Sequence, residues 1–354
     1  MPVFIPDLAP LLQSFGAEAV LSLAIPAILL ADLFAGRARR EAVAGAVAVL
    51  ALVAAFLLAL AQPASEGAVL TRLLRADGLA KAFRVVAIAT GMIGAVAALR
   101  GGDASRGRTE FFVMLLGAVL GACLTAAAND MALLYLAFET LSIGGYLLAG
   151  FKRRDAQASE AAMKYVLFGA ISSGMMVYGL SLLYGFAGTT LLTTPPGQEW
   201  ASLQSAAGAA AGSPAFLVAI VLVFAGLAYK VAAVPFQFWC PDVYQGAPTA
   251  VAGFLAVAAK GAGFAVVLRF VAAVTGGGRP VTDALASSND TLRLVLVVMS
   301  VATMTFGNVA ALRQASAKRL LAYSAIAHAG YLLMGVSVTS GAGAAAILFY
   351  MGVY

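Results

Sequence analysis

Lys230-Val-Ala-Ala-Val-Pro235-Phe-Gln-Phe-Trp239-Cys-Pro241-Asp-Val-Tyr-Gln-Gly-Ala-Pro248 combines a lysine, an apolar run and closely spaced prolines. Pro235 removes a backbone donor and Pro241 follows within two turns, so a helix carrying Lys230 is expected to break here. If the segment lies at membrane depth, such a break needs protein or water to satisfy the groups it frees. A lysine just before the break then suits a hydrated half-channel. An ordinary helix end followed by a loop fits the same residues.

Depth is decided by the flanks. Of 354 residues, 62% are apolar and 11% charged, too little polar surface for a water-soluble domain of this length. The apolar residues form blocks of about 20, the length a helix needs to cross a hydrocarbon core of roughly 30 Å. The blocks predict an all-α polytopic membrane protein of about eleven helices, near 17–35, 42–61, 79–99, 110–128, 130–150, 161–187, 214–235, 248–274, 291–312, 318–338 and 342–354. The stretch from Gly188 to Gly212, with Pro195-Pro196-Gly197, reads as an inter-helix loop. The final block stops inside an apolar run at Tyr354, and the chain is expected to be C-terminally truncated.

The formal net charge of +6 sits in small clusters between the blocks. Arg37, Arg39 and Arg40 form one, Arg100, Arg106 and Arg108 another, and Lys152, Arg153 and Arg154 a third. With Arg313, Lys318 and Arg319 they place twelve basic residues in odd-numbered loops, against Arg72, Arg75 and Arg279 in even ones. That asymmetry predicts cytoplasmic odd loops and an outward N-terminus. It is a topology signal and excludes a nucleic-acid face. Cys123 and Cys240 have no CxxC spacing, and no Walker or dinucleotide fingerprint is present, so no metal or cofactor is expected in this chain. Met1 to Gly16 lacks the basic start of a cleavable signal.

Gly145-Tyr-Leu-Leu-Ala-Gly150 resembles Gly330-Tyr-Leu-Leu-Met-Gly335, and Val113-Met114 resembles Val298-Met299, at one offset of 185. The fourth and fifth helices thus map onto the ninth and tenth, which run oppositely, as in an inverted repeat.

Ionisable residues fall inside the blocks. Glu139 is mid-way along the fifth, Lys230 late in the seventh, Lys260 central in the eighth and Lys164 in the first turn of the sixth. Each such charge costs about 2.5–3.5 kcal/mol on insertion scales, so mutual pairing or a purpose is expected. A carboxylate beside a lysine favours both charged forms, whereas burial disfavours the ammonium, so a change of pairing moves a proton. Glu139 and Lys230 are read as the switchable pair and Lys260 as the next relay; a purely structural ion pair is the alternative. Lys164 either joins them or snorkels to the interface. His328, the single histidine, suits proton relay or plain packing equally. Arg269, Glu18, Asp32, Lys81 and Arg84 lie near block ends and read as snorkelling anchors.

At these residues the sequence resembles a known family, the antiporter-like membrane subunits of respiratory complex I. Asn129-Asp130 through Leu-Tyr-Leu-Ala-Phe-Glu139-Thr-Leu-Ser is similar to their glutamate helix. Lys230 with Val-Pro-Phe-Gln-Phe-Trp and Pro-Asp-Val-Tyr-Gln-Gly-Ala-Pro resembles their broken lysine helix. Ser159-Glu-Ala-Ala-Met-Lys164-Tyr-Val-Leu-Phe-Gly-Ala looks like subunit N rather than its M or L paralogues. The resemblance implies an N-terminal three-helix segment at 1–109, a first five-helix repeat with a proton half-channel at 110–275, and the start of a second inverted repeat at 290–354. It implies proton translocation by Glu139, Lys230, Lys260 and Lys164, with His328 a further relay and Pro235 the helix break. NADH, FMN, iron–sulfur clusters and quinone would belong to other subunits of an NADH–quinone oxidoreductase. Partners would be other membrane-arm subunits and the lipid bilayer, in a bacterial inner membrane with the N-terminus periplasmic. A cation/proton antiporter or membrane-bound hydrogenase subunit shares these motifs.

Overall fold

The computed structural model describes residues 8–34, 36, 40–62, 72–101, 107–152, 154–194, 200–275, 290–338 and 341–354. Arg37, Arg39, Arg106, Arg153, Arg279 and Pro195-Pro196-Gly197 lie outside the described residues. The helices are α1 (Leu8–Phe34), α2 (Arg40–Ala61), α3 (Gly78–Arg100), α4 (Arg108–Ala127), α5 (Met131–Ala149), α6 (Ala156–Ala187) and α7 (Leu203–Ala210). They continue with α8 (Pro214–Val231), α9 (Trp239–Gly246), α10 (Thr249–Val274), α11 (Asp290–Ala311), α12 (Ala317–Val338) and α13 (Gly341–Val353). Isolated bridges are the only β pairing among the described residues.

Ten of these helices are long and apolar enough to cross a membrane, all but α7, α9 and α13. The expected eleventh span is α13, whose 13 residues reach about 20 Å at 1.5 Å per residue. The loop expected from Gly188 to Gly212 contains α7, whose start is closed by a reciprocal Ser202–Ser205 capping box. Helix starts elsewhere are fixed by aspartates, whose carboxylates satisfy amides the first turn leaves free. Asp77 caps α3, Asp130 caps α5 and Asp155 caps α6.

Without a hydrophobic driving force between helices in lipid, close packing at small residues holds them together. A Cβ on Gly121 of α4 would lie 2.5 Å from the Leu141 backbone nitrogen of α5, and Gly144 of α5 faces Ala118 of α4. The α11–α12 pair repeats this arrangement, with Gly307 against Ala327 and Gly330 against Met304. All four positions are displaced by 186 residues, one more than the Gly-Tyr-Leu-Leu match suggests. The register differs because Gly144, not Gly145, makes the close contact; Gly145 faces Tyr165 and Leu255 instead. Among the described residues three spans, α6, α8 and α10, separate the two pairs, so alternating crossings run the pairs in opposite directions.

The residues read as snorkelling anchors are mostly bonded inside. Arg269 is 6% exposed, grips Asp77 through two hydrogen bonds of 2.8 and 2.7 Å, and donates from Nε to Ala126 O. Glu18 and Arg84 form a buried ion pair at 2.7 Å. Lys81 donates to the Leu60 and Gln62 carbonyls, and Asp32 accepts from Thr109. The reason is physical: a charge that finds a partner inside the bundle need not reach for the interface.

The Asp77–Arg269 pair ties α3 to α10, and Arg75, bonded to Thr193, extends it to the α6–α7 connection. Burial pushes the Asp77 carboxyl up, but the hydrogen bonds and charge of Arg269, the Ala80 amide and Arg75 together hold it below the ordinary 3.8. A carboxylate depressed in the folded state stabilises it above the unfolded value and loses that contribution as pH falls through the folded one. Asp77→Asn is therefore expected to lower thermal stability by on the order of 3 kcal/mol, the low side for breaking a buried pair. Melting curves of wild type and variant should stay apart from neutral pH down to about pH 4 and converge only below it. A gap that closes by pH 5 would contradict this assignment.

Candidate functional site

The break expected after Lys230 is present, and protein satisfies it. α8 stops at Val231, and Ala232 takes a left-handed conformation at φ +58°. The Ala233 amide folds back to Ala228 O at 2.8 Å, and the Val234 amide donates to Thr303 Oγ1 of α11 at 2.9 Å. Helix resumes at Trp239, whose indole N–H donates to the Tyr229 carbonyl at 3.0 Å. The Tyr229 hydroxyl in turn donates to Tyr165 O, and the Tyr165 ring stacks on Trp239 at 4.5 Å. Trp239, Cys240, Val243 and Tyr244 of α9 are buried. Of the two sequence readings, the structure has a helix interrupted within the bundle rather than one ending in a surface loop.

Lys230 lies in the last turn of α8 and is 1% exposed. Its Nζ donates to Ser142 Oγ at 2.8 Å and sits 4.9 Å above the Phe138 ring, both on α5. Phe138 and Ser142 share one face of α5, four residues apart. Glu139 points off that face and accepts a hydrogen bond from Ser173 of α6. Glu139 and Lys230 therefore occupy adjacent helices without pairing: among the described residues no carboxylate lies within ion-pair distance of Lys230.

Lys260 follows a π-helical turn, Leu255–Ala259, in the middle of α10. Such bulges add a residue to a turn and are frequent at functional positions. Lys260 is 3% exposed, donates to the Ala325 carbonyl of α12 at 2.8 Å, and lies 5.9 Å over the Tyr244 ring. Gly263, one turn on, lets α10 pack against Val231 and the Lys230 stem; a Cβ there would lie 2.8 Å from Val231. His328, one turn after Ala325, shares a 2.5 Å hydrogen bond with the Tyr350 hydroxyl and packs against Tyr331 and Tyr354. Glu139, Lys230, Lys260 and His328 thus sit on successive neighbouring helices α5, α8, α10 and α12.

Lys164 is apart from this line. Its side chain is 37% exposed and bridges Glu160 at 2.7 Å and Asp242 of α9 at 2.6 Å. Asp242 also holds Arg319 of α12 at 2.5 Å, so one carboxylate ties α6, α9 and α12. Lys164 is a paired cation, not a free snorkelling one.

Sequence reasoning passed over Ser142, Ser173, Thr303 and Asp242. Ser142 had a signal, one turn from Glu139; Asp242 had one too, as a charge inside the broken-helix segment. Ser173 and Thr303 had none, since hydroxyls on apolar helices are common and their partners are distant in sequence. Among the described residues no group of three His, Cys, Asp or Glu side chains could hold a metal ion. A cavity of about 850 Å³ between α3, α10 and α13, lined by residues such as Ile93, Phe254 and Met351, includes none of these charges.

Residues 128–354 match the family model described as NADH:quinone oxidoreductase/Mrp antiporter, TM. The chain is 45% identical over 316 residues to NADH-quinone oxidoreductase subunit N of Anaeromyxobacter sp. (strain Fw109-5), covering 88% of this chain and 60% of that protein. It is 39% identical to NAD(P)H-quinone oxidoreductase subunit 2 of Gloeobacter violaceus, covering 79% of this chain and 51% of that one. It thus spans little more than half the length of these curated relatives. A chain of respiratory complex I from Thermus thermophilus with bound Aureothin superimposes with a TM-score of 0.73 at 30% identity, over 95% of this chain and 67% of that one. A chain of the archaeal membrane-bound sulfane sulfur reductase shares the fold, with a TM-score of 0.77 at 21% identity over 96% and 67%. With more than half of its residues inside that family model, the chain belongs to the NADH:quinone oxidoreductase/Mrp antiporter transmembrane family.

Proposed function

We propose that this chain is a proton-translocating membrane-arm subunit, of the subunit N type, of an NADH–quinone oxidoreductase. The names of the 45% and 39% identical relatives support that reading over a cation/proton antiporter. NADH, FMN, iron–sulfur clusters and quinone are assigned to other subunits, which drive this one through its membrane-arm neighbours. The chain is placed in a bacterial inner membrane with its N-terminus periplasmic, on the strength of its basic-residue asymmetry. Residues 1–109 are read as an accessory three-helix segment, 110–275 as one half-channel repeat and 290–354 as the beginning of its inverted counterpart.

One observation carries the mechanism: the Lys230 ammonium is buried at a helix break with a neutral hydroxyl and a ring face as partners. A buried cation without a counter-ion is costly, and one beside a carboxylate much less so. Glu139 is one turn from Ser142 on α5 and bonded to Ser173. Exchange of the Glu139 partner from Ser173 to Lys230 favours carboxylate and ammonium together and draws a proton onto Lys230; separating the two again favours its release. Release from Lys230 passes the proton to Lys260 across the Gly263 contact, and from there toward His328. The broken backbone gives α8 and α9 separate freedom to shift, which allows the exchange. Lys164 acts differently in this proposal: with Asp242 it anchors α9 and keeps the half-helix in place.

Lys230→Ala in the full-length gene should leave the complex assembled. Proton pumping and NADH–quinone turnover in native membranes should fall together by about tenfold or more, a modest share of what a positioned proton-transfer group contributes. Wild-type rates in an assembled complex would make Lys230 structural and end the mechanism. Absence of co-purifying flavin and iron–sulfur proteins would instead point to the antiporter reading.

The anchoring role of Lys164 has its own test. Lys164→Ala and Asp242→Asn should each slow turnover by about two- to fivefold, and the double variant should be no slower than Asp242→Asn alone, because both act through one contact. Losses that multiply in the double variant would show that Lys164 works independently of Asp242.

A further inference from the structure

A second buried polar cluster lies in α1–α3, outside the matched residues 128–354. Glu18 is 4% exposed, Gln62 6% and Arg84 2%. Arg84 Nε donates to Glu18 Oε1 at 2.7 Å, and Arg84 Nη1 donates to Gln62 Oε1 at 2.7 Å and more weakly to Ser14 O at 3.4 Å. The Ser14 carbonyl is available because α1 departs from helical geometry at Phe15, whose ring lies 5.3 Å under the guanidinium. Lys81 pins the end of α2 by donating to the Gln62 carbonyl at 2.6 Å.

Three enclosed polar atoms of this cluster have no hydrogen-bond partner among the described residues: Glu18 Oε2, Gln62 Nε2 and Arg84 Nη2. Each belongs to a group whose other polar atom is already bonded within the cluster, so the three orphans are parts of one hydrogen-bonded unit. The Gln62 amide cannot be turned to relieve its own orphan, because its oxygen is required by Arg84 Nη1. Buried polar groups are very rarely left unpaired, least of all inside a membrane span.

The chemistry of the three atoms selects the occupant. Two are donors and one is an acceptor. The three groups that carry the orphan atoms balance in charge, one carboxylate against one guanidinium. A metal cation would face the guanidinium and two N–H groups, and an anion would face the free carboxylate oxygen. A lipid carbonyl or phosphate ester offers acceptors but no donor. A water molecule accepts two hydrogen bonds and donates to the carboxylate, and internal waters characteristically make about three such bonds.

We propose that Glu18, Gln62 and Arg84 enclose a bound water molecule that joins α1, α2 and α3 into one unit. The inference is independent of the proton-transfer reading. The water completes the ion pair, so the three-helix segment is held by a polar centre as well as by its apolar contacts.

Electron cryomicroscopy of the assembled complex containing the full-length chain, at a resolution that shows ordered waters, tests this directly. The expected result is a density peak within hydrogen-bond distance of all three orphan atoms in the wild type. In Gln62→Met, which keeps the side-chain length and removes the amide, the peak should vanish while the Glu18–Arg84 pair remains. An O–H stretching band of an isolated buried water that shifts in H2¹⁸O and is missing from Gln62→Met supplies a second reading. A wild-type map with Glu18 closed bidentately on Arg84 and no peak would overturn the proposal. So would a peak coordinated as an ion, or one undiminished in Gln62→Met. Should Gln62→Met fail to assemble, the wild-type map alone decides.

Discussion

A helix can stop inside a bilayer only where something other than lipid takes over the hydrogen bonds it gives up. The interruption between Val231 and Trp239 meets that constraint with groups from two other helices: the Thr303 hydroxyl of α11 takes the Val234 amide, and the Trp239 indole of α9 takes the Tyr229 carbonyl. The rest of the arrangement depends on it. Because α8 ends where it does, Lys230 sits in its last turn, where the side chain reaches α5 rather than lipid. Because α9 begins again at Trp239, Asp242 falls in its first turn, where it meets Lys164 and Arg319. Mending the break with a continuous helix would remove both placements at once.

The packing and the charges are parts of one design. Gly263 gives α10 the close approach that brings the Lys230 stem and the start of the Lys260 turn together. Gly121 and Gly144 press α4 on α5, the helix that presents Ser142 and Glu139. In lipid, small residues are what permit such approach, and each close contact fixes the distance over which a polar side chain must reach. That is why the lysines are bonded to a hydroxyl and a carbonyl at 2.8 Å, ordinary hydrogen-bond lengths, in a medium where a loose fit would leave a charge bare.

Much of this was legible in the sequence. The apolar blocks located the spans because a bilayer imposes one length on all of them, and Pro235 with Pro241 located the break because proline has no amide to donate. The buried lysines announced themselves by cost. What could not be read was the identity of each partner. Arg269 and Asp77 are 192 residues apart, and Arg84 and Glu18 are separated by 66, so each looked like an isolated charge near a span end. Nothing local distinguishes a snorkelling arginine from one whose partner arrives from another helix. The repeat was found from its Gly-Tyr-Leu-Leu match but one residue out of register, since sequence identity follows the letters while packing follows the missing Cβ.

The two polar centres differ in a way that bears on their roles. Glu18 and Arg84 are in direct contact, so their charges cancel within one ion pair, and a group so compensated gains little by exchanging a proton. Glu139 and Lys230 have the same charges on neighbouring helices but are held apart by serines, each hydroxyl taking the place that the opposite charge would fill. A hydroxyl can donate to a carboxylate or accept from an ammonium, so it serves either charged group and competes with neither very strongly. On the proposed mechanism, such weak, exchangeable partners leave an interaction that a small helix movement completes. On the same mechanism, the cluster in α1–α3 holds helices together while the α5–α8 pair is the one left open to change.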